Sequence, residues 1–379
     1  MPDQPLYPVL RHAERVRRSM LYRDRRILAK LTRDYLAAYQ SLKSQIKTLT
    51  AALAEMQPTQ GQLMRVAALQ SLLDGVRREM ADLVAILAND LDEAIRIEIA
   101  QAGIDTYRAV QLALPGMEEA RLMAMWTTLH PPQVYQMYGF LDQSGPLFAM
   151  LKNQFSDDVA NLIRDALLSG YIQGMNPRTI AAIINKAFGT GLNWALRTAR
   201  TSTLWAYRSA SQISYANNTQ VVKGWTWTSA LDDRVCLSCL AQHGSFHPVT
   251  EILADHHNGR CVMSVQSRSW EELGMPNVPE VDYTQQDWYK KLTPEERAKF
   301  DAMSKPGEDW FRSMSAETQR QMMGPAKFNA WQDGAFAFKS LSQPYFDPIY
   351  GKMWREASLK SLLADKAERY YVANKLVVK

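Results

Sequence analysis

The sequence predicts a mainly α-helical protein with a small α+β part, and three patterns carry that expectation. Apolar residues recur at threes and fours through most of the first hundred positions. A short run around position 225 switches to a period of two. Just after it, all three cysteines of the 379 residues and four of the six histidines fall between Cys236 and Cys261. An odd, clustered cysteine count in a long chain argues against a secreted disulfide framework and suits a metal-pinned knuckle.

Leu28, Leu31, Tyr35, Ala38, Leu42, Ile46, Leu49, Leu53 and Met56 form a heptad-like seam with one phase shift at Leu42. Gln57-Pro58-Thr59-Gln60-Gly61 breaks it. A second helix, from about Leu63 to Ala102, carries Leu69, Leu72, Leu73, Val76, Met80, Leu83 and Leu87 on one side. The two are expected to fold back as a basic antiparallel hairpin, residues 1–102. Residues 103–190 read as a helical connector, punctuated at Leu114-Pro115-Gly116, Pro131-Pro132 and Ser144-Gly145-Pro146. Within it Asn176 suits an N-cap and Pro177 the N1 position, where its missing N–H costs nothing. Gly189 is expected to close that helix. The next runs from about Leu192 to Asn217, with Trp194, Thr198, Thr201 and Trp205 at helical spacing and Arg208 available for an ion pair or an outside contact.

Val221 to Thr228 then alternates, placing Trp225 and Trp227 on one face of a strand and the threonines on the other. Leu231-Asp232-Asp233-Arg234 turns the chain into Cys236-x-x-Cys239, and residues 244–248 and 261–265 read as further strands. Residues 191–270 thus form a helical pair feeding a short sheet pinned by a Cys/His knuckle. Residues 271–379 read as helical, with Trp288, Trp310, Phe328 and Trp331 as core.

Residues 1–50 hold 11 Lys and Arg against 4 Asp and Glu, a local charge of +7 in a chain of net +5. Arg15, Arg17, Arg18, Arg25 and Arg26, with Arg197 and Arg200, are therefore candidate contacts to a nucleic-acid backbone or an acidic protein surface. No run approaches the ~18 apolar residues of a membrane span, and the N-terminal stretch lacks a signal-peptide apolar region, so a reducing cytoplasm is expected. Two thiolates at C-x-x-C with a third cysteine and one histidine would supply the four donors of a closed structural zinc site. His243, His247, His256 and His257 are all open as that histidine.

A set of motifs narrows the choice: Ala199-Arg200-Thr201-Ser202-Thr203 on a helix, Gly224-Trp225-Thr226-Trp227, and Asp232 followed by Cys236 and Cys239. Gly244 with Phe246 and His256-His257-Asn258-Gly259-Arg260-Cys261 complete it. From about Ala166 to Val265 this resembles the phage head morphogenesis family typified by the minor head protein of phage Mu and the portal-associated minor capsid protein of phage SPP1. Weaker likenesses follow at Tyr283-Thr284 to Trp288, Met323-Gly324-Pro325-Ala326-Lys327-Phe328, Trp331-Gln332-Asp333-Gly334 and Leu359 to Leu363. Two positions depart from the family pattern: Ser202 stands for a glutamate, and Gly259 for the first cysteine of C-R-C. The resemblance implies His256 as the matching histidine, hence a structural zinc on Cys236, Cys239, His256 and Cys261.

It further implies a non-enzymatic minor head protein of a tailed phage, in the virion near the portal and in the host cytoplasm during assembly. Its partners would be the portal protein, the major capsid or scaffold protein and packaged DNA, with roles in assembly, packaging or ejection and no small-molecule substrate. Two other readings compete. Cys-x-x-Cys followed by Asp255-His256 faintly resembles an HNH nuclease, although no histidine follows His257 to complete a metal site. The basic arm alone would suit a non-specific nucleic-acid-binding protein, with affinity falling as salt rises.

Overall fold

A computed structural model describes residues 7–56, 67–138, 177–279 and 281–374, with residues 145, 147, 149, 161–166, 169 and 175 between them. The expected helix break at 57–61, the punctuation at Ser144 and Pro146 and the N-cap at Asn176 lie outside the described residues. Three long helices dominate: α1 (Tyr7–Met56), α2 (Ala67–Ala113) and, after the short α3 (Glu119–Met125) and α4 (Pro131–Tyr138), α5 (Pro177–Ala216). The chain divides into two compact units. One comprises residues 1–21, 98–134 and 204–379; the other comprises residues 22–97 and 135–203. No helix among the described residues is long and apolar enough to cross a membrane.

The second unit is built on the expected hairpin. Lys30 pairs with Asp90, and Ser41 donates to Glu79 at 2.6 Å, so the two helices run antiparallel. Leu31, Tyr35 and Leu42 from α1 are buried, as are Leu73, Val76, Met80, Leu83 and Leu87 from α2. Helix α5 begins at Pro177 but does not stop at Gly189; it continues to Ala216. That corrects the sequence reading. Neither Gly189 nor Gly191 takes the positive φ of a helix-ending glycine. Gly191 lies against the Tyr35 ring, where a larger residue would collide with the hydroxyl, so close packing offsets the usual cost of glycine in a helix.

The first unit contains the sheet, three antiparallel strands in the order β2-β1-β3: β1 (Val222–Thr228), β2 (Phe246–Pro248) and β3 (Val262–Ser267). Trp225 and Trp227 of the central strand are fully buried, as expected, but Thr226 and Thr228 are buried as well, because both faces of β1 are covered. Gly224 is required by close approach, since a side chain there would strike the His247 backbone and the Phe246 ring. The same core takes in Val9 and Leu10 from α1, Val110 from α2, Tyr215 from α5, and Phe311, Trp331, Phe338 and Leu341 from the C-terminal region.

That C-terminal region holds short helices and a two-stranded antiparallel hairpin, β4 (Ser342–Asp347) and β5 (Gly351–Glu356). The reading of 271–379 as helical missed it. Asp347 accepts from the backbone of Ile349 and Tyr350 to close the turn, and Gly351 supplies a φ of 75°.

Gly189→Ala tests the continuity of α5. Nothing crowds a side chain at 189, so alanine should stabilise by about 0.5–1 kcal/mol in urea unfolding followed by circular dichroism. Gly191→Ala should destabilise. If Gly189 were a helix terminus, its substitution would also weaken the protein.

Candidate metal centre

Strand β1 ends at Thr228, and the chain turns through Leu231, whose φ is 46°, into the short helix α6 (Leu237–Gln242). Cys236 is the N-cap of α6, and its Sγ accepts from the Cys239 backbone N–H at 3.3 Å. Three residues along a helix return to the same face, so Cys239 stands beside Cys236. The loop 254–261 then runs directly into β3, carrying Asp255, His256 and Cys261 to the same place.

The ligand atoms of Cys236, Cys239 and His256 lie within 4.8 Å of one another, as do those of Cys239, Asp255 and Cys261. His256 Nε2 is 3.1 Å from Cys236 Sγ and 3.2 Å from Cys239 Sγ, and its Nδ1 is 2.8 Å from the His257 carbonyl. The other three histidines are committed elsewhere. His243 is buried, its Nδ1 accepts from the Ser229 backbone, and burial pushes its pKa down to about 4. His247 stacks on Trp225 at 4.3 Å and lies 2.8 Å from Glu251. His257 sits 3.0 Å from Asp347 at the end of β4 and edge-on to Tyr350. Only His256, of the four, faces the thiols.

Beneath the thiols lies a buried ion pair that the sequence did not announce. Arg208 of α5 donates to Asp255 Oδ2 at 3.1 Å, to the Gly259 carbonyl at 2.9 Å and to the Cys261 carbonyl at 2.8 Å. Asp255 also accepts from the backbone N–H groups of His256 and Cys261 at 2.9 and 3.1 Å. A side chain at 259 would overlap the Asp255 carboxylate, so glycine is demanded there. At the rim, Arg260 makes a two-pronged pair with Asp232 at 2.5 and 2.7 Å, joining the two motif halves. Ser229 ties the floor together. It receives a hydrogen bond from Arg17 at 2.9 Å and donates to the Cys239 carbonyl at 2.7 Å.

The electrostatics follow from this crowding. Hydrogen bonding to Cys239, then to His256, pulls the Cys236 thiol down to about 5 against the opposing push of burial. Burial would lower His256, but Asp255 and Cys236 outweigh it and raise it to about 10. Asp255 stays below the usual carboxylate range: burial pushes it up, and His256 and Arg208 more than cancel that. Cys239 is driven well above an ordinary thiol, first by its contact with Cys236, then by Cys261 and burial. Two thiols, each within 3.2 Å of one imidazole nitrogen, form a donor set that fits a soft divalent ion.

This segment is also similar to a known family. Residues 161–267 match the family model described as Phage Mu protein F like protein. The match spans α5, the sheet and the whole Cys/His loop, and agrees with the resemblance to phage head morphogenesis proteins. No curated protein and no solved structure matches the chain.

The cationic candidates separate. Arg15, Arg18, Arg25, Arg26 and Arg197 are exposed. Arg17 is buried, pairing with Glu14 and Ser229, and Arg200 pairs with the buried Asp24 at 2.7 Å. Ser202, at the family's glutamate position, is buried and donates to the Thr198 carbonyl at 2.9 Å. Asp255 and Arg208 are the site residues that sequence reasoning overlooked as a pair, since 47 positions separate them.

Arg208→Met should cost about 3–5 kcal/mol, because it strands a buried carboxylate. Arg260→Ala, at the more open Asp232 pair, should cost about 1 kcal/mol or less. Urea unfolding in the presence of a chelator measures both. In metal-free protein, iodoacetamide should label Cys236 first. Its rate should stay level from pH 8 down to 6 and fall only as pH drops through about 5. A rate rising about tenfold per pH unit through neutrality would mark an ordinary thiol instead.

Proposed function

We propose that the chain is a minor structural protein of a tailed-phage head, acting in portal-associated head assembly and present in the virion. The observation that carries this reading is the use to which the matched segment puts its motif residues. The segment that matches the Phage Mu protein F like family is the one whose motif residues are used to hold the fold. Asp232 and Arg260 clamp the rim, Trp225 fills the core, and Cys236, Cys239 and His256 crowd one point. Residues spent on support suit a structural role better than a catalytic one.

In this reading the cluster holds zinc through Cys236, Cys239 and His256, with a fourth donor from loop 254–261. Such an ion contributes folding energy, because the unfolded chain has no preformed site. The exposed Arg15, Arg18, Arg25, Arg26 and Arg197 are offered to the portal, the major capsid or scaffold protein, or packaged DNA. Their side chains are exposed, whereas Arg17 and Arg200 are committed to Glu14 and Asp24. The nuclease alternative asks for a second histidine at the metal, and His257 is engaged by Asp347. Assembly would take place in the host cytoplasm.

Quantitative mass spectrometry on heads, tails and procapsids purified from the encoding phage tests this. A few copies per head, co-purifying with the portal protein, are expected. Absence from both procapsids and finished heads would overturn the assignment.

A further inference from the structure

The space a side chain would need at position 259 is filled by the Asp255 carboxylate, which brings a further oxygen donor against the thiols and the imidazole. We propose that Asp255 Oδ1 is the fourth metal ligand, giving a centre of Cys236, Cys239, His256 and Asp255, with Cys261 outside it. This rests on the reading of the cluster as a metal centre and is independent of the role in phage heads.

Spacing is the first support. A tetrahedral zinc ion with ordinary bond lengths sets its mixed donor pairs about 3.3–3.6 Å apart. Asp255 Oδ1 lies 3.4 Å from Cys239 Sγ and 3.6 Å from His256 Nε2. His256 Nε2 in turn lies 3.1 and 3.2 Å from the two thiols. The two separations to Asp255 thus fall within that range, and the two imidazole–thiol separations lie just below it.

The two carboxylate oxygens also divide their labour. Oδ2 is taken by Arg208 and the Cys261 N–H, which fix the plane of the carboxylate, while Oδ1 accepts the His256 backbone N–H and keeps its other side toward the thiol and imidazole. An outer partner that orients a ligand through its second atom is a common feature of metal sites. Cys261 has a different engagement: its Sγ donates to Ser229 Oγ at 3.6 Å, and its backbone is held at both N–H and carbonyl.

Charge supplies the third argument. Two thiolates and a carboxylate balance a divalent cation and the Arg208 guanidinium, so the buried assembly is neutral.

Cobalt(II) loading of the full chain decides the question, since sulfur-to-cobalt charge-transfer intensity scales with the number of bound thiolates. One ion per chain with a two-thiolate intensity is expected. Cys261→Ala should keep both stoichiometry and spectrum, with affinity within about threefold. Asp255→Asn should lose more than the about 10–100-fold typical of removing an outer partner. Should Asp255→Asn fail to fold, the wild-type thiolate count and Cys261→Ala still decide. A three-thiolate spectrum in the wild type, falling by a third in Cys261→Ala, would overturn the assignment. No stoichiometric metal in the wild type would remove the metal centre, and the ligand assignment with it.

Discussion

The ion pair between Arg208 and Asp255 is the interaction on which the sheet and its loop depend. Arg208 reaches from the last third of α5 to hold one carboxylate oxygen and two backbone carbonyls of the loop 254–261. Asp255 answers by accepting two backbone N–H groups from the same loop. A stretch without regular structure thereby has its polar atoms satisfied indoors, where an unmet hydrogen bond would cost about 1–3 kcal/mol. A lysine could not replace the arginine, because three acceptors at different angles need the planar fork of a guanidinium.

Around that pair, other parts of the first unit brace the loop from separate directions. The Trp354 N–H of β5 donates to the Ala254 carbonyl at 3.0 Å, and Asp347 of β4 holds His257. Arg17 of α1 holds Ser229, which supports Cys239. The motif cysteines are thus the visible tip of a polar framework whose supports come from both ends of the chain. His247 stacked on Trp225 shows the same economy: a side chain that could have been a ligand serves as a lid on the core.

Local patterns were legible and distant pairings were not. The α1 and α2 seams and the Trp225–Trp227 alternation could be read because helix and strand periodicities lie within a few residues. The cysteine cluster stood out for its rarity. Arg208 looked like any helical cation, and Asp255 like any loop acid, since nothing local marks two charges 47 residues apart as partners. Gly189 misled because a glycine usually ends a helix, whereas here packing around Gly191 carries the helix through. Pro344 and the short strand lengths hid the β4–β5 hairpin, although the aromatic-rich flanks and the turn at Asp347 to Gly351 carried its signal.

The makeup of the first unit's core bears on how the protein is made. Val9 and Leu10 are packed with Phe311, Trp331 and Leu341, and Tyr7 bonds to Asp301. A ribosome adding about 5–20 residues per second needs on the order of 15–60 s to connect those two regions. Throughout that interval the apolar face of the first helix has no partner from the distal half of its own chain. Closure of this unit is therefore a late event in synthesis, completed only once Phe311, Trp331 and Leu341 join Val9, Leu10 and Val110 in the core.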